Sequence, residues 1–135
     1  MDAIESITAR IPQFRGYDDL EARRDDDELV RSYLGEALAR LNVNHPDFFS
    51  ERSDAYENLI IRAGFMNQMA FRAFEYANLD QSHLEAIAAN DCTMLDLADR
   101  APAIAAGEVA GYLDELTAAF DRRDAAMSHG GGAFA

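Results

Sequence analysis

Residues 53–77 read SDAYENLIIRAGFMNQMAFRAFEYA, and this stretch decides the fold class. Tyr56, Leu59, Ile60, Ala63, Met66, Ala70, Ala73, Phe74 and Ala77 recur at intervals of three and four and share one helical face. Ile61, Phe65, Met69 and Tyr76 widen that face past a half circle. A helix so apolar needs several neighbours to cover it. The spacing therefore predicts one central helix over 53–77, with other helices packed around it.

The flanking segments supply those helices. Residues 80–100 carry Asp80 as N-cap, with Leu79 and Leu84 placed as a hydrophobic staple. Leu84, Ile87, Ala88, Leu95 and Ala98 form their core face. Residues 102–126 begin at Pro102, a residue suited to a first helical turn. There Ala106, Val109, Leu113, Leu116, Phe120 and Met127 approach a heptad seam, and Gly107 and Gly111 leave room for a helix to come close. On the N-terminal side, residues 19–41 open behind Asp18 and Glu21, spaced as in a capping box. They continue into the stripe Val30, Leu34, Ala37, Leu38 and Leu41. A short helix over 2–10 presents Ile4 and Ile7, with Ile11 following, and Pro12 stops it. No segment alternates as a strand does. The expected fold is all-α: an antiparallel helical bundle of four main helices plus a short N-terminal one. One domain spans 1–127, and 128–135 is expected to be a flexible glycine-rich tail.

The chain has 135 residues, enough for one domain with its own core. Cys92 is the single cysteine, so no internal disulfide can form and a reducing compartment suits the chain. Residues 1–10 mix acids with isoleucines and do not read as a signal peptide. No apolar run is long enough to span a bilayer. A cytoplasmic protein without membrane insertion is expected.

Charge narrows the partners. The formal net charge is −13, with 15 aspartates, 10 glutamates, 12 arginines and no lysine. Abundant aspartate without lysine is expected in a salt-rich host, where screening relieves self-repulsion. GC-rich coding would also exchange lysine for arginine. Nucleic acid is excluded as a partner, because phosphate binding needs clustered free cations. Here Arg23-Arg24 and Arg122-Arg123 are each flanked by aspartates.

Few residues point to chemistry. Asp80 and His83 are three apart, with Glu85 nearby. This spacing builds carboxylate–histidine metal sites in ferritin-like bundles. The chain has no Glu-x-x-His, so such a site would have to be completed across a dimer, and no metal or other cofactor is assigned. Cys92 and the loop residue His45 form the only thiol–imidazole combination worth weighing, and nothing in their spacing requires them to meet. Residues 25–28, three aspartates and a glutamate, point in different directions on a helix and lack the order of a calcium loop. Arg23 with Asp27, and Arg24 with Glu28, are spaced for ion pairs on a solvated arm.

Residues 10–17, Arg-Ile-Pro-Gln-Phe-Arg-Gly-Tyr, precede Leu20-Glu21-Ala22-Arg23-Arg24-Asp25-Asp26-Asp27. Together they resemble the opening of an uncharacterised family of prokaryotic helical proteins, IPxFxGY followed by RRxxD. Gln13 replaces that family's usual glycine, and Asp26 or Asp27 supplies its acid. Residues 59–98 are more loosely similar. The resemblance implies a short helical cytosolic protein with no known activity. It draws notice to Pro12, Gly16, Tyr17, Arg23 and Arg24 as a docking surface.

The functional expectation is a non-enzymatic interaction or accessory protein acting through protein–protein contacts. The expected contact residues are Arg23, Arg24 and Asp27 on the charged arm, and Val109, Leu113, Leu116 and Phe120 in a homo-oligomeric seam. The alternative is a ferritin-like metal-binding protein with its site at a dimer interface.

Overall fold

The computed structural model describes residues 2–65, 67–75 and 77–130, without the side chains at 55, 68, 73, 129 and 130. It is all-α, with no strand among the described residues. The helices are α1 (Ala3–Arg10), α2 (Arg23–Asn44), α3 (Pro46–Glu51), α4 (Ser53–Gly64), α5 (Gln68–Glu75), α6 (Gln81–Arg100) and α7 (Val109–Gly130). No helix is long and apolar enough to cross a membrane among the described residues.

Four positions form the bundle: α2, the α4–α5 pair, α6 and α7. Cross-helix partners fix their directions. Arg100 pairs with Glu115 while Asp91 meets Arg123, so α6 and α7 run antiparallel. Asp27 and Asp91 grip the same Arg123, and Tyr33 reaches Asp99, so α2 and α6 lie side by side in parallel. Consecutive long helices still alternate up and down, as in a simple bundle. The centre holds Leu34, Leu38, Leu59, Phe74, Leu95 and Leu116, each at most 2% exposed. Each such side chain contributes roughly 1.5–3 kcal/mol by burial.

The central helix expected over 53–77 is two helices. Gly64 closes α4, and Phe65 is extended at φ −131°, ψ 134°. Asn67 then caps α5, its Oδ1 accepting from the backbone N–H groups of Met69 and Ala70, both at 3.1 Å. The asparagine side chain satisfies donors that an opening helix leaves free, which makes a restart here cheap. Ile61 on α4, Phe65 in the break and Met69 on α5 are exposed, at 55%, 73% and 87%. Met66 and Tyr76, read as part of the same face, lie outside the described residues.

Other boundaries also shift. Asp19 rather than Asp18 provides the first cap, holding the single 3-10 turn Leu20–Ala22 before α2. A short helix, α3, occupies part of the loop expected after residue 41. Pro102 opens a 3-10 turn, not the last helix. Ile104 is extended, and a second turn, Ala106–Glu108, leads into α7. Among the described residues nothing approaches within 4 Å of a Cβ built on Gly107 or Gly111, so no described helix uses that gap. Helix α7 continues through Ser128 to Gly130, where a tail was expected; residues 131–135 lie outside the described residues. Asp80 caps α6 as its spacing predicts.

Candidate functional site

Two features stand out: a closed ionic cluster inside the bundle and an open groove beside it. The cluster begins at the turn after α1. Gly16 has φ +75° and Tyr17 φ +62°, so successive backbone N–H groups converge. Such concavities bind anions. Here the anion is internal: Asp26 accepts from the N–H groups of Arg15 and Tyr17, both at 2.9 Å. Burial pushes the Asp26 carboxyl up, against the pull of those two donors. Arg23 closes the other side. Its Nε donates to the Tyr17 carbonyl at 2.7 Å, and its NH1 donates to the carbonyls of Phe74 and Ala77 at 2.8 and 2.7 Å.

Deeper in, Arg123 joins three elements. Its guanidinium meets Asp27 at 2.8 Å and Asp91 at 2.7 Å, and donates to the Tyr17 hydroxyl at 3.2 Å. That hydroxyl donates to Asp91. Asp27 also holds Arg31 at 2.9 Å, and Arg31 donates to the Ala63 carbonyl at 3.2 Å. Asp27, Asp91, Arg31 and Arg123 are all buried, so two anions face two cations away from water. Burial pushes the Asp91 carboxyl up, opposed by Arg123 and the Tyr17 hydroxyl. Burial and the neighbouring Asp91 hold the Tyr17 phenol well above its usual range. For Arg123 burial acts to lower the pKa, but Asp91, Tyr17 and Asp27 outweigh it, and the guanidinium stays cationic. Buried charge is tolerated when it is paired and hydrogen-bonded. The cluster locks the N-terminal turn, α2, α6 and α7 to one another.

The groove lies between α4 and α7. Leu59, Ile61, Arg62, Leu113, Asp114 and Thr117 line a cavity of about 470 Å³, together with Asn58. It shares Ile61 and Arg62 with a cleft of about 200 Å³ that reaches Phe65, Asn67, Phe120 and the edge of Arg31 and Arg123. Arg62 forms the divide. It is pinned by Asp121 at 2.9 Å and Asp124 at 3.0 Å, and its guanidinium lies 5.1 Å above the Phe120 ring. On the far side of α2 a hollow of about 490 Å³ is lined by Asp19, Glu21, Asp25 and Glu28, with Arg15 across it.

These positions correct the expected contact residues. Arg23 and Asp27 are buried, not on a solvated arm, and the pairs Arg23–Asp27 and Arg24–Glu28 give way to other partners. Arg24 binds Glu75 at 2.6 Å and lies over the Phe71 ring. Gly16 and Tyr17 belong to the internal cluster, while Pro12 is exposed. Val109, Leu113, Leu116 and Phe120 are at most 4% exposed in the chain's own core, which takes them off the free surface. Asp80 uses one oxygen both on the His83 N–H at 3.0 Å and on His83 Nδ1 at 2.9 Å, while Glu85 lies near Gln81. No third metal-ligating side chain joins that pair among the described residues. Cys92 faces Ser6, and His45 faces the Ile104 carbonyl, so the two do not meet.

The sequence reading singled out Tyr17 and Asp26 only through the family resemblance, and Arg31, Asp91 and Arg123 escaped it as members of a site. Their signal was a charge lying on an apolar stripe. Asp91 falls between Ile87, Ala88 and Leu95 on the core face of α6. Arg123 falls between Phe120 and Met127 on that of α7. A charge at a core position announces a buried partner.

Compared with protein-family models, with curated proteins and with solved structures, the chain matches none.

Proposed function

We propose that this protein is a non-enzymatic interaction module that docks a protein partner along the α4–α5 break. The observation carrying this reading is the outward row of Ile61, Phe65 and Met69, at 55%, 73% and 87% exposure, beside an open groove. Single exposed apolar residues such as Val43 need no explanation, whereas a grouped set beside a concavity marks an interaction surface. Methionine and phenylalanine suit such a surface, since one adapts its shape and the other buries a large area. The ionic cluster supports the reading from the other side. Its charged groups are satisfied by one another, which favours a structural role over turnover.

A photo-crosslinking residue placed at Phe65, Met69 or Val43 in the native host tests this. Discrete adducts from the first two positions, absent from the third and lost with Ile61→Ser, are the expected result. The same adducts from all three positions, or none from any, would overturn the assignment.

A further inference from the structure

We infer that the partner of this surface is a basic amphipathic helix, seated in the α4–α7 groove with its apolar side on Ile61 and Phe65. The inference rests on the interaction reading above and names the chemistry of its partner.

The groove has two unlike walls. The α4 wall offers Ile61, and beyond the end of α4 the chain exposes Phe65 at the break, in the adjoining cleft, and Met69 on α5. The α7 wall is acidic: Asp114 lines the groove, and Asp121 and Asp124 follow along the same helix. Among the described residues Arg62 is the one cation lining the α4–α7 cavity, and it is already held by Asp121 and Asp124; Arg31 and Arg123, at the edge of the adjoining cleft, are held by Asp27 and Asp91. Asp114 is exposed and has no ion-pair partner among the described residues. An apolar row with an acidic rim is the complement of a helix whose leucine-type anchors recur every three and four residues beside lysine or arginine. The net charge of −13 adds a field that draws such a segment in. A second copy fits less well. It carries the same net charge of −13 and offers the acidic rim no lysine.

The test is a titration of the full chain with labelled helical peptides of about five turns. The first has leucines at three- and four-residue spacing and lysines elsewhere. A second has the same composition in scrambled order, and in a third and fourth glutamine or glutamate replaces lysine. The leucine–lysine peptide should bind at least about tenfold more tightly than the scrambled one. Phe65→Ser and Ile61→Ser should each cost about tenfold or more. Asp114→Lys should cost a similar factor and transfer binding to the glutamate peptide. Asp25→Asn with Glu28→Asn, in the separate acidic hollow, should change nothing.

Equal binding of the scrambled peptide, or equal loss in the Asp25/Glu28 variant, would reduce the effect to general charge and overturn the inference. Failure of the lysine peptide to bind would overturn it as well. If the glutamine peptide binds as tightly as the lysine one and Phe65→Ser abolishes both, the basic partner class is wrong while the docking surface stands. A dimer that sedimentation shows to be lost in Phe65→Ser would assign the face to a second copy and overturn the proposed occupant. Crosslinks at Phe65 and Met69, as above, separate failure of the surface from failure of the partner class.

Discussion

Arg123 is the residue on which the interior turns. One planar fork satisfies Asp27, Asp91 and the Tyr17 hydroxyl, which sit on three separate parts of the chain. Lysine has the charge but not the fork. Arg123→Met should leave the buried Asp91 without a cation and Asp27 with Arg31 alone, and cost about 3–5 kcal/mol, read as a lowered midpoint in urea. Arg24→Ala breaks a pair in which Arg24 is 53% exposed, and should cost less than about 1 kcal/mol. If the two losses were equal, the cluster would not be a mainstay of the fold. At this scale the sequence hid most of the site. Residues 21–28 contain so little apolar surface that a solvated arm is the natural reading. The burial of Arg23, Asp26 and Asp27 follows from partners far along the chain, which local spacing does not reveal. What was visible was a charge out of place on an apolar stripe, at Asp91 and Arg123.

At the level of helices, most of the fold was legible. The cap Asp80 and the three-and-four spacing of the apolar residues in α1, α2, α6 and α7 were enough to locate those helices. The breaks were not, because apolar periodicity runs straight through them. Gly64 and Asn67 are a stop and a start three residues apart, while Leu59, Ala63, Ala70 and Phe74 keep the rhythm on either side. Asn67→Ala should therefore cost about 1 kcal/mol by removing the α5 cap, and should raise hydrogen exchange at the Met69 and Ala70 amides. Gly111 tells the opposite story. It lies within α7 with no neighbour for a Cβ to strike. Gly111→Ala should stabilise the protein by about 0.5–1 kcal/mol in a thermal melt. A loss there would mean that another chain approaches α7 at this point.

Across the whole molecule the tyrosines set an alkaline limit. Burial pushes Tyr112 up to about 12, and burial together with Asp91 holds Tyr17 well above its usual range. Tyr33 is raised by its hydrogen bond to Asp99. A phenol whose pKa rises on folding adds stability that is complete below its unfolded value, about 10, and is lost as pH climbs through the folded one. Stability should hold to about pH 10 and then fall, with phenolate absorbance and loss of helix signal appearing together. Tyr112→Phe should make that fall shallower. A slope unchanged by the substitution would show that Tyr112 does not carry the effect.

The distance along the chain between Arg123 and the groups it pairs with has a consequence for how the protein is made. During synthesis Tyr17, Asp27 and Asp91 leave the ribosome before their shared cation exists. Tyr17 waits for a residue 106 positions later. Until then Asp91 has no cation to accompany it into the bundle, and its bond with the Tyr17 hydroxyl stands without that charge. Pairings so distant along the chain slow folding, because loop entropy must be lost before they form. A nascent chain stalled before residue 123 would stay protease-sensitive at its N-terminal end. Release of a few more residues would protect α1 and α2 together, so that the last helix completes the first.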